Sequence, residues 1–184
     1  MDKLFRALRT ALAILIFANP IALARVQHSG GPNVLVSIIV EATPERCWAA
    51  IRDPNSSLDH RRVISTGPEN IMVEETFNDL PILHSATCLF EETEVPLKEI
   101  TFKLRHSDKF KSMSGAYRLT ARPDGTTVVE LESNLDIGPI PFTGKLAQSI
   151  NEAKCRERLM RVKAIAESNQ HHPIVASADG AFGH

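Results

Sequence analysis

Aromatic residues are scarce. Phe, Tyr and Trp make up 5% of the 184 residues, with one Trp and one Tyr among them, and this excludes a core dominated by rings. A charge excess of one sign is lacking too: 21 basic residues face 22 acidic ones, a formal net charge of -1. A nucleic-acid binder normally carries a clustered basic excess, so nucleic acid is excluded as a partner. Cysteine is limited to Cys47, Cys88 and Cys155, odd in number and far apart. No pair has the spacing of a metal knuckle or a CxxC redox motif. The simplest reading is three buried thiols acting as small apolar groups; in an oxidising compartment one disulfide would leave one thiol over. GxSxG, Walker, GxGxxG and HExxH patterns are absent, which removes the serine-hydrolase elbow, the phosphate loop, the dinucleotide fingerprint and the zinc-protease helix. His171 and His172 stand together without further ligands, too little for a metal site, and no cofactor is indicated.

The chain opens with Lys3, Arg6 and Arg9, then the apolar run 11–18 (ALAILIFA), a break at Asn19-Pro20 and the small-x-small pattern Ala22-Leu23-Ala24. A membrane span needs about 20 apolar residues, so the run is short for a permanent anchor. The flanks fit a secretory signal peptide over 1–24, cleaved near Ala24; an uncleaved N-terminal anchor is the other reading. Export, to the periplasm or out of the cell, is the expected localisation. Residues 25–33 (RVQHSGGPN) read as a flexible lead-in, 34–168 as one domain and 169–184 as a disordered tail.

Within the domain, the β-branched run 34–40 predicts a strand. Thr43-Pro44-Glu45 predicts a helix start, with the Thr43 hydroxyl as cap and Pro44 at the first position, where its missing N–H costs nothing. Cys47, Trp48, Ala50 and Ile51 give that short helix an apolar face, and Asp53-Pro54-Asn55 ends it. A second short helix is expected at 56–61. Six strands follow, at 62–66, 70–77, 82–92, 98–106, 113–121 and 126–136, with turn chemistry at Gly67-Pro68-Glu69, Val95-Pro96 and Pro123-Asp124-Gly125. A Pro/Gly hinge at 137–142 leads to a long helix, 143–168, rich in Lys, Glu, Arg, Ala and Leu. Consecutive strands on short turns make an antiparallel meander, and the long helix must bury an apolar stripe against it. The expected class is α+β: a curved antiparallel meander wrapped around a long C-terminal helix, with two short helices after the first strand.

The stretches 42–54 (ATPERCWAAIRDP), 107–119 (SDKFKSMSGAYRL) and 123–131 (PDGTTVVEL) precede a proline hinge and a closing helix. In that order they resemble the polyketide cyclase/dehydrase-type members of the START-like, or SRPBCC, superfamily. The resemblance covers about residues 34–168. It implies a helix-grip fold with a cavity between sheet and C-terminal helix. Relatives in that superfamily include lipid carriers, coenzyme Q-binding proteins, hormone receptors, aromatase/cyclases and flavonoid-binding plant allergens. Catalytic residues vary between its branches, so none is carried over.

Alternation along strands sorts inward from outward side chains. Ile100, Phe102 and Leu104 share a face that His106 continues. Met113, Gly115, Tyr117 and Leu119 share another, and Val129, Leu131, Ser133 and Leu135 a third. These faces are apolar, with Tyr117, Ser133 and His106 as polar insertions of the kind that orient a ligand. Tyr117 reads equally as a core ring with its hydroxyl at the rim, and His106 as a strand-end histidine facing water. His84 aligns with Ile82, Ala86, Cys88 and Phe90, as a pocket group or a hydrogen-bonded structural histidine. On the outer face Lys103, Arg105 and Arg118 lie near Glu130 and Glu132, a solvated charge ladder or a partner surface.

On the long helix, Leu146, Ile150, Ala153, Met160 and Ala164 fall in one stripe at about 100° per residue, and Glu157 lands inside it. A carboxylate facing the sheet needs a partner or a proton; otherwise it reaches solvent at the pocket mouth. Cys155, Leu159, Val162 and Ala166 form an opposite stripe, expected to pack on the first helices or on a second copy. Lys154, Arg156, Arg158 and Arg161 make a basic stretch, either a solvated face or a transient membrane-surface contact.

Three functions are compatible with this pattern. The leading one is an exported binder or carrier of a hydrophobic small molecule or lipid. Phe77, Phe102, Leu104, Tyr117, Ser133, Ile150 and Met160 would line the pocket, Glu157 or His106 would orient the ligand, and segments near Gly67-Pro68 and 138–141 would gate it. The second is a cyclase/dehydratase-type enzyme with His84, His106 and Glu157 as candidate acids and bases. The third is a small interaction protein whose cavity is closed by side chains. Nothing in the sequence sets an oligomeric state.

Overall fold

Val34, Val36, Ile38 and Val40 are buried on one face of β2 (Asn33–Val40), the period-two pattern of a strand with one side in the core. The computed structural model describes residues 25–28, 33–57, 60–138 and 143–168. β2 leads into α1 (Pro44–Arg52), which buries Cys47, Ala50 and Ile51. Pro44 opens that helix as expected, but the Thr43 side chain makes no cap bond. In place of the second short helix expected at 56–61, the described residues hold a single 3-10 turn before it, Pro54–Ser56, closed by the Asp53 carboxylate accepting from the Asn55 amide at 2.8 Å.

Six strands follow: β3 (Arg61–Thr66), β4 (Ile71–Leu80), β5 (His84–Val95), β6 (Glu99–Ser107), β7 (Ser112–Ala121) and β8 (Thr127–Asp136). All neighbours are antiparallel, and β8 returns to pair with β2. β1 (Arg25–His28) adds an eighth strand, giving the order β1-β2-β8-β7-β6-β5-β4-β3 in one curved sheet. β1 corrects the expectation of a flexible lead-in: Arg25 to His28 pair with Ser37 to Val34 of β2, whose edge would otherwise leave a row of amides and carbonyls unpaired. At the other end, among the described residues, β3 pairs only with β4, and Val63 and Ile64 are 58% and 48% exposed. The segment 1–24, the hinge residues 139–142 and the tail 169–184 lie outside the described residues.

α2 (Thr143–Ser168) packs on β2, β8 and α1. Its buried side chains are Ala147, Ile150, Asn151, Cys155, Leu159, Val162 and Ala166. The helix is therefore rotated from the expected setting: Ala153, Glu157 and Ala164 are exposed, and Met160 is 46% exposed. Apolar volume alone does not choose between the two stripes. The inward one carries polar residues that find partners. Asn151 Nδ2 donates to the Ser133 carbonyl at 3.0 Å, and Arg158 reaches Glu75 on β4. Glu157 has no such partner on the sheet among the described residues, and burying it alone would be costly.

The interior is divided in two. One apolar cluster joins β2, α1, Leu131 and the C-terminal half of α2; the other joins Phe77, Ala86, Cys88, Phe90, Phe110 and Leu135 to Ala147 and Ile150. Phe102 touches both.

Candidate functional site

Between the two clusters lies a cavity of about 50 Å³. Its apolar walls are Phe77, Phe90, Phe102, Met113 and Leu131, together with the ring of Tyr117; Ser133, Asn151, Lys154, Cys155, Arg158, Glu75 and Glu92 supply the rest. Four of the chain's ten aromatic rings gather here. Phe77, Phe90, Phe102 and Tyr117 form a run with successive centroids 6.3, 5.9 and 6.2 Å apart, the first two contacts edge-on. Gly115 makes room for that run. A Cβ there would stand 2.0 Å from the Glu132 carbonyl oxygen and 2.5 Å from the Phe102 ring, which lies opposite it across β6 and β7.

One wall is charged. Arg158 Nη1 donates to Glu75 Oε1 at 2.5 Å, and the Ser57 hydroxyl donates to the same oxygen at 2.6 Å. Beside them Arg61 Nη2 donates to both oxygens of Glu92 at 2.7 Å. The side chains are 14% and 6% exposed in the first pair, 9% and 10% in the second. Burial alone would raise the Glu75 pKa, but Arg158, Ser57 and Arg61 together hold it below the usual carboxylate range. Burial opposes charge on Arg158 as well, and the Glu75 carboxylate outweighs it, so the guanidinium is held charged. Arg158 also lies over the Tyr117 ring, 5.7 Å from its centroid. Burial pushes the Tyr117 phenol up and the Cys155 thiol up to about 12, so both are neutral at physiological pH. The neighbouring Ser133 hydroxyl opposes the rise at Cys155, and among the described residues Ser133 Oγ and Arg158 Nε are buried without a partner within hydrogen-bond geometry.

Lys154 forms the rim. Its ammonium donates to the Asn78 carbonyl at 3.2 Å, and beyond it an open groove of about 510 Å³ runs between Asp79, Pro81 and the outer face of α2. The β4–β5 connection above that groove is strained. Asp79, Ile82 and His84 have φ of 53°, 69° and 61°, and Leu83 and Ser85 amides donate back to Pro81 and Leu83 carbonyls in tight three-residue turns.

Of the residues singled out from sequence, Phe77, Phe102, Tyr117 and Ser133 line the cavity. Leu104 is half-buried against the second cluster, and Ile150 is buried there while lining the outer groove. Met160 and Glu157 point away from the cavity, for the reason given by the helix setting. His106 is also displaced. A bulge in β6 places Phe90 opposite Leu104 but Leu89 opposite His106, so Arg105 is the extra residue and His106 turns to the outer face, exposed. His84 is exposed at the strained start of β5. The three candidate acids and bases are therefore not brought together in the cavity. Outside, Arg118 bridges Glu99 and Glu132 at 2.9 and 2.8 Å and Arg105 pairs with Glu91, a solvent-facing ladder. Among the described residues no group of three or more His, Cys, Asp or Glu could hold a metal.

Sequence reasoning missed Arg61, Glu75, Glu92, Asn151 and Arg158. For Arg158 one signal was available: it sits three residues after Cys155 and four before Val162, on the stripe that proved to be buried.

Residues 32–167 match the family described as polyketide cyclase/dehydrase and lipid transport. The chain belongs to that family. No curated protein matches it in sequence. Among solved structures it is similar to the protein TTHA0849 from Thermus thermophilus, with a TM-score of 0.65 and 17% identity over 74% of this chain and 98% of that one. It is also similar to the Zhui aromatase/cyclase from a Streptomyces species, at 0.62 and 16% over 81% and 98%. A START superfamily protein from Mycobacterium smegmatis aligns at 0.62 and 11% over 74% and 97%. At these identities the likeness is one of fold: a curved antiparallel sheet closed by a C-terminal helix.

Proposed function

We propose that the chain is an exported binding or carrier protein for a hydrophobic small molecule or lipid, held between the sheet and α2. The observation that carries the reading is the ring-walled cavity with a single charged pole, an arrangement that buries an apolar body and fixes its orientation. Covering apolar surface contributes about 25 cal/mol per Å². The space is small: about 50 Å³ holds a few water molecules, against about 300–1,000 Å³ for ordinary ligand pockets. Binding thus requires the cavity to widen. The strained β4–β5 connection and the Lys154–Asn78 contact between cavity and groove are where it opens with least loss of core. Export rests on the basic start, short apolar run and small-residue motif of residues 1–24.

Native mass spectrometry of the protein purified from its own cells tests the reading. A bound apolar or amphipathic compound that is lost when Leu131→Trp fills the cavity is the expected result. A bare protein in repeated preparations would overturn it, and would favour the second reading: an interaction protein whose cavity is closed. The small volume is the observation on that side. The cyclase-type reading loses the acid–base set on which it rested, since His84, His106 and Glu157 are all exposed.

A further inference from the structure

The Arg158 guanidinium has five N–H donors in a planar fork. Among the described residues it makes one hydrogen bond, from Nη1 to Glu75 Oε1. Nε is buried with no partner, and the whole side chain is only 14% exposed, so bulk water reaches little of it. The edge left over, Nε with Nη2, is one that takes a carboxylate with two parallel hydrogen bonds. Ser133 lines the same cavity, fully buried, with its hydroxyl unpartnered. A wholly apolar occupant would leave those buried donors without acceptors, and a cationic one would meet Arg158 at close range.

We propose that the occupant is an amphipathic acid, with a compact apolar or aromatic body among Phe77, Phe90 and Phe102 and its carboxylate on the free edge of Arg158, supported by Ser133. The proposal rests on the binding reading and narrows it to one ligand class. The probes are benzoate, 2-naphthoate and octanoate, each compared with its methyl ester by isothermal titration of the whole chain at low salt. Each acid that binds is expected to bind at least tenfold tighter than its ester. Ser133→Ala should weaken acid binding about three- to tenfold and leave ester binding unchanged. Because Arg158 is part of a buried pair, its removal is tested in the double variant Glu75→Leu/Arg158→Met, which keeps the volume apolar and should abolish the preference for acids. The Arg158 Nε–H resonance should shift on adding acid and stay in place on adding ester. Esters bound as tightly as acids, or a preference that survives in the double variant, would overturn the proposal and leave the binding reading standing. If no probe bound and no adduct appeared in the native mass spectrum, both would fall.

Discussion

Removing the Glu75 carboxylate would leave Arg158 without its acceptor in a site almost closed to water. Breaking such a pair costs about 3–5 kcal/mol, whereas replacing both partners by apolar groups is often neutral or better. Glu75→Gln and Arg158→Met are therefore each expected to lower unfolding free energy by that amount, and Glu75→Leu/Arg158→Met to recover most of it, in chemical denaturation at pH 7. The acid limb follows from the same carboxylate. Its folded pKa lies below the ordinary 4.5 because Arg158, Ser57 and Arg61 outweigh burial. Its contribution is then full above about pH 4.5 and is lost as pH falls through the lower folded value. The stability gap between wild type and Glu75→Gln should narrow as denaturation is repeated from pH 5 to pH 3. A gap that stays constant across that range would contradict the assignment.

At the scale of elements, the β4–β5 connection concentrates backbone strain, with three of the four non-glycine residues at positive φ among the described residues. Ile82 is a β-branched residue at φ 69°, with its side chain 71% exposed and gaining little from burial. Glycine adopts that backbone without the steric penalty. Ile82→Gly should raise the thermal midpoint, by about 1 kcal/mol of stability, where the same change in mid-strand would lower it. Calorimetry decides the sign. Elements themselves were legible from sequence. The alternation of Val129, Leu131, Ser133 and Leu135 and the unbroken helix-forming run over 143–168 placed β8 and α2 to within a residue or two. Departures from a period were not legible. A single extra residue in β6 reversed the face of His106, and the choice between two equally apolar stripes of α2 turned on whether Asn151 and Arg158 could find partners on the sheet. The choice of stripe could not be settled locally, because the partners of those two helix residues lie on β8 and β4.

For the molecule as a whole, the fold could be read because a meander followed by one long helix leaves few ways to close. The site could not, because its charged wall is assembled from Arg61, Glu75, Glu92 and Arg158 on four different elements. Their sequence spacing carries no motif. The cysteines offer a check at this scale. Cys47, Cys88 and Cys155 are all buried and free, and burial holds Cys88 up to about 11 and Cys155 up to about 12. Folded protein should show no thiol reactive with a disulfide reagent at pH 8, and three after unfolding. Intact mass should fit three reduced cysteines on a chain beginning at Arg25. A mass fitting the uncut chain would contradict cleavage after Ala24, and a fast-reacting thiol would contradict the packing.

The outermost ribbon of the sheet, Arg61–Thr66, has a consequence for how the protein behaves in company. With one neighbour instead of two among the described residues, and with Val63 and Ile64 facing water, it is an unfinished ladder on which a second molecule could continue. Arg62, exposed and paired with Glu74 at 2.8 Å, puts charge where a stranger's strand would dock. Neutralising it with Arg62→Val should leave the thermal midpoint nearly unchanged yet turn concentrated solutions cloudy. Light scattering that stays flat at high concentration would show that this border is guarded by something else.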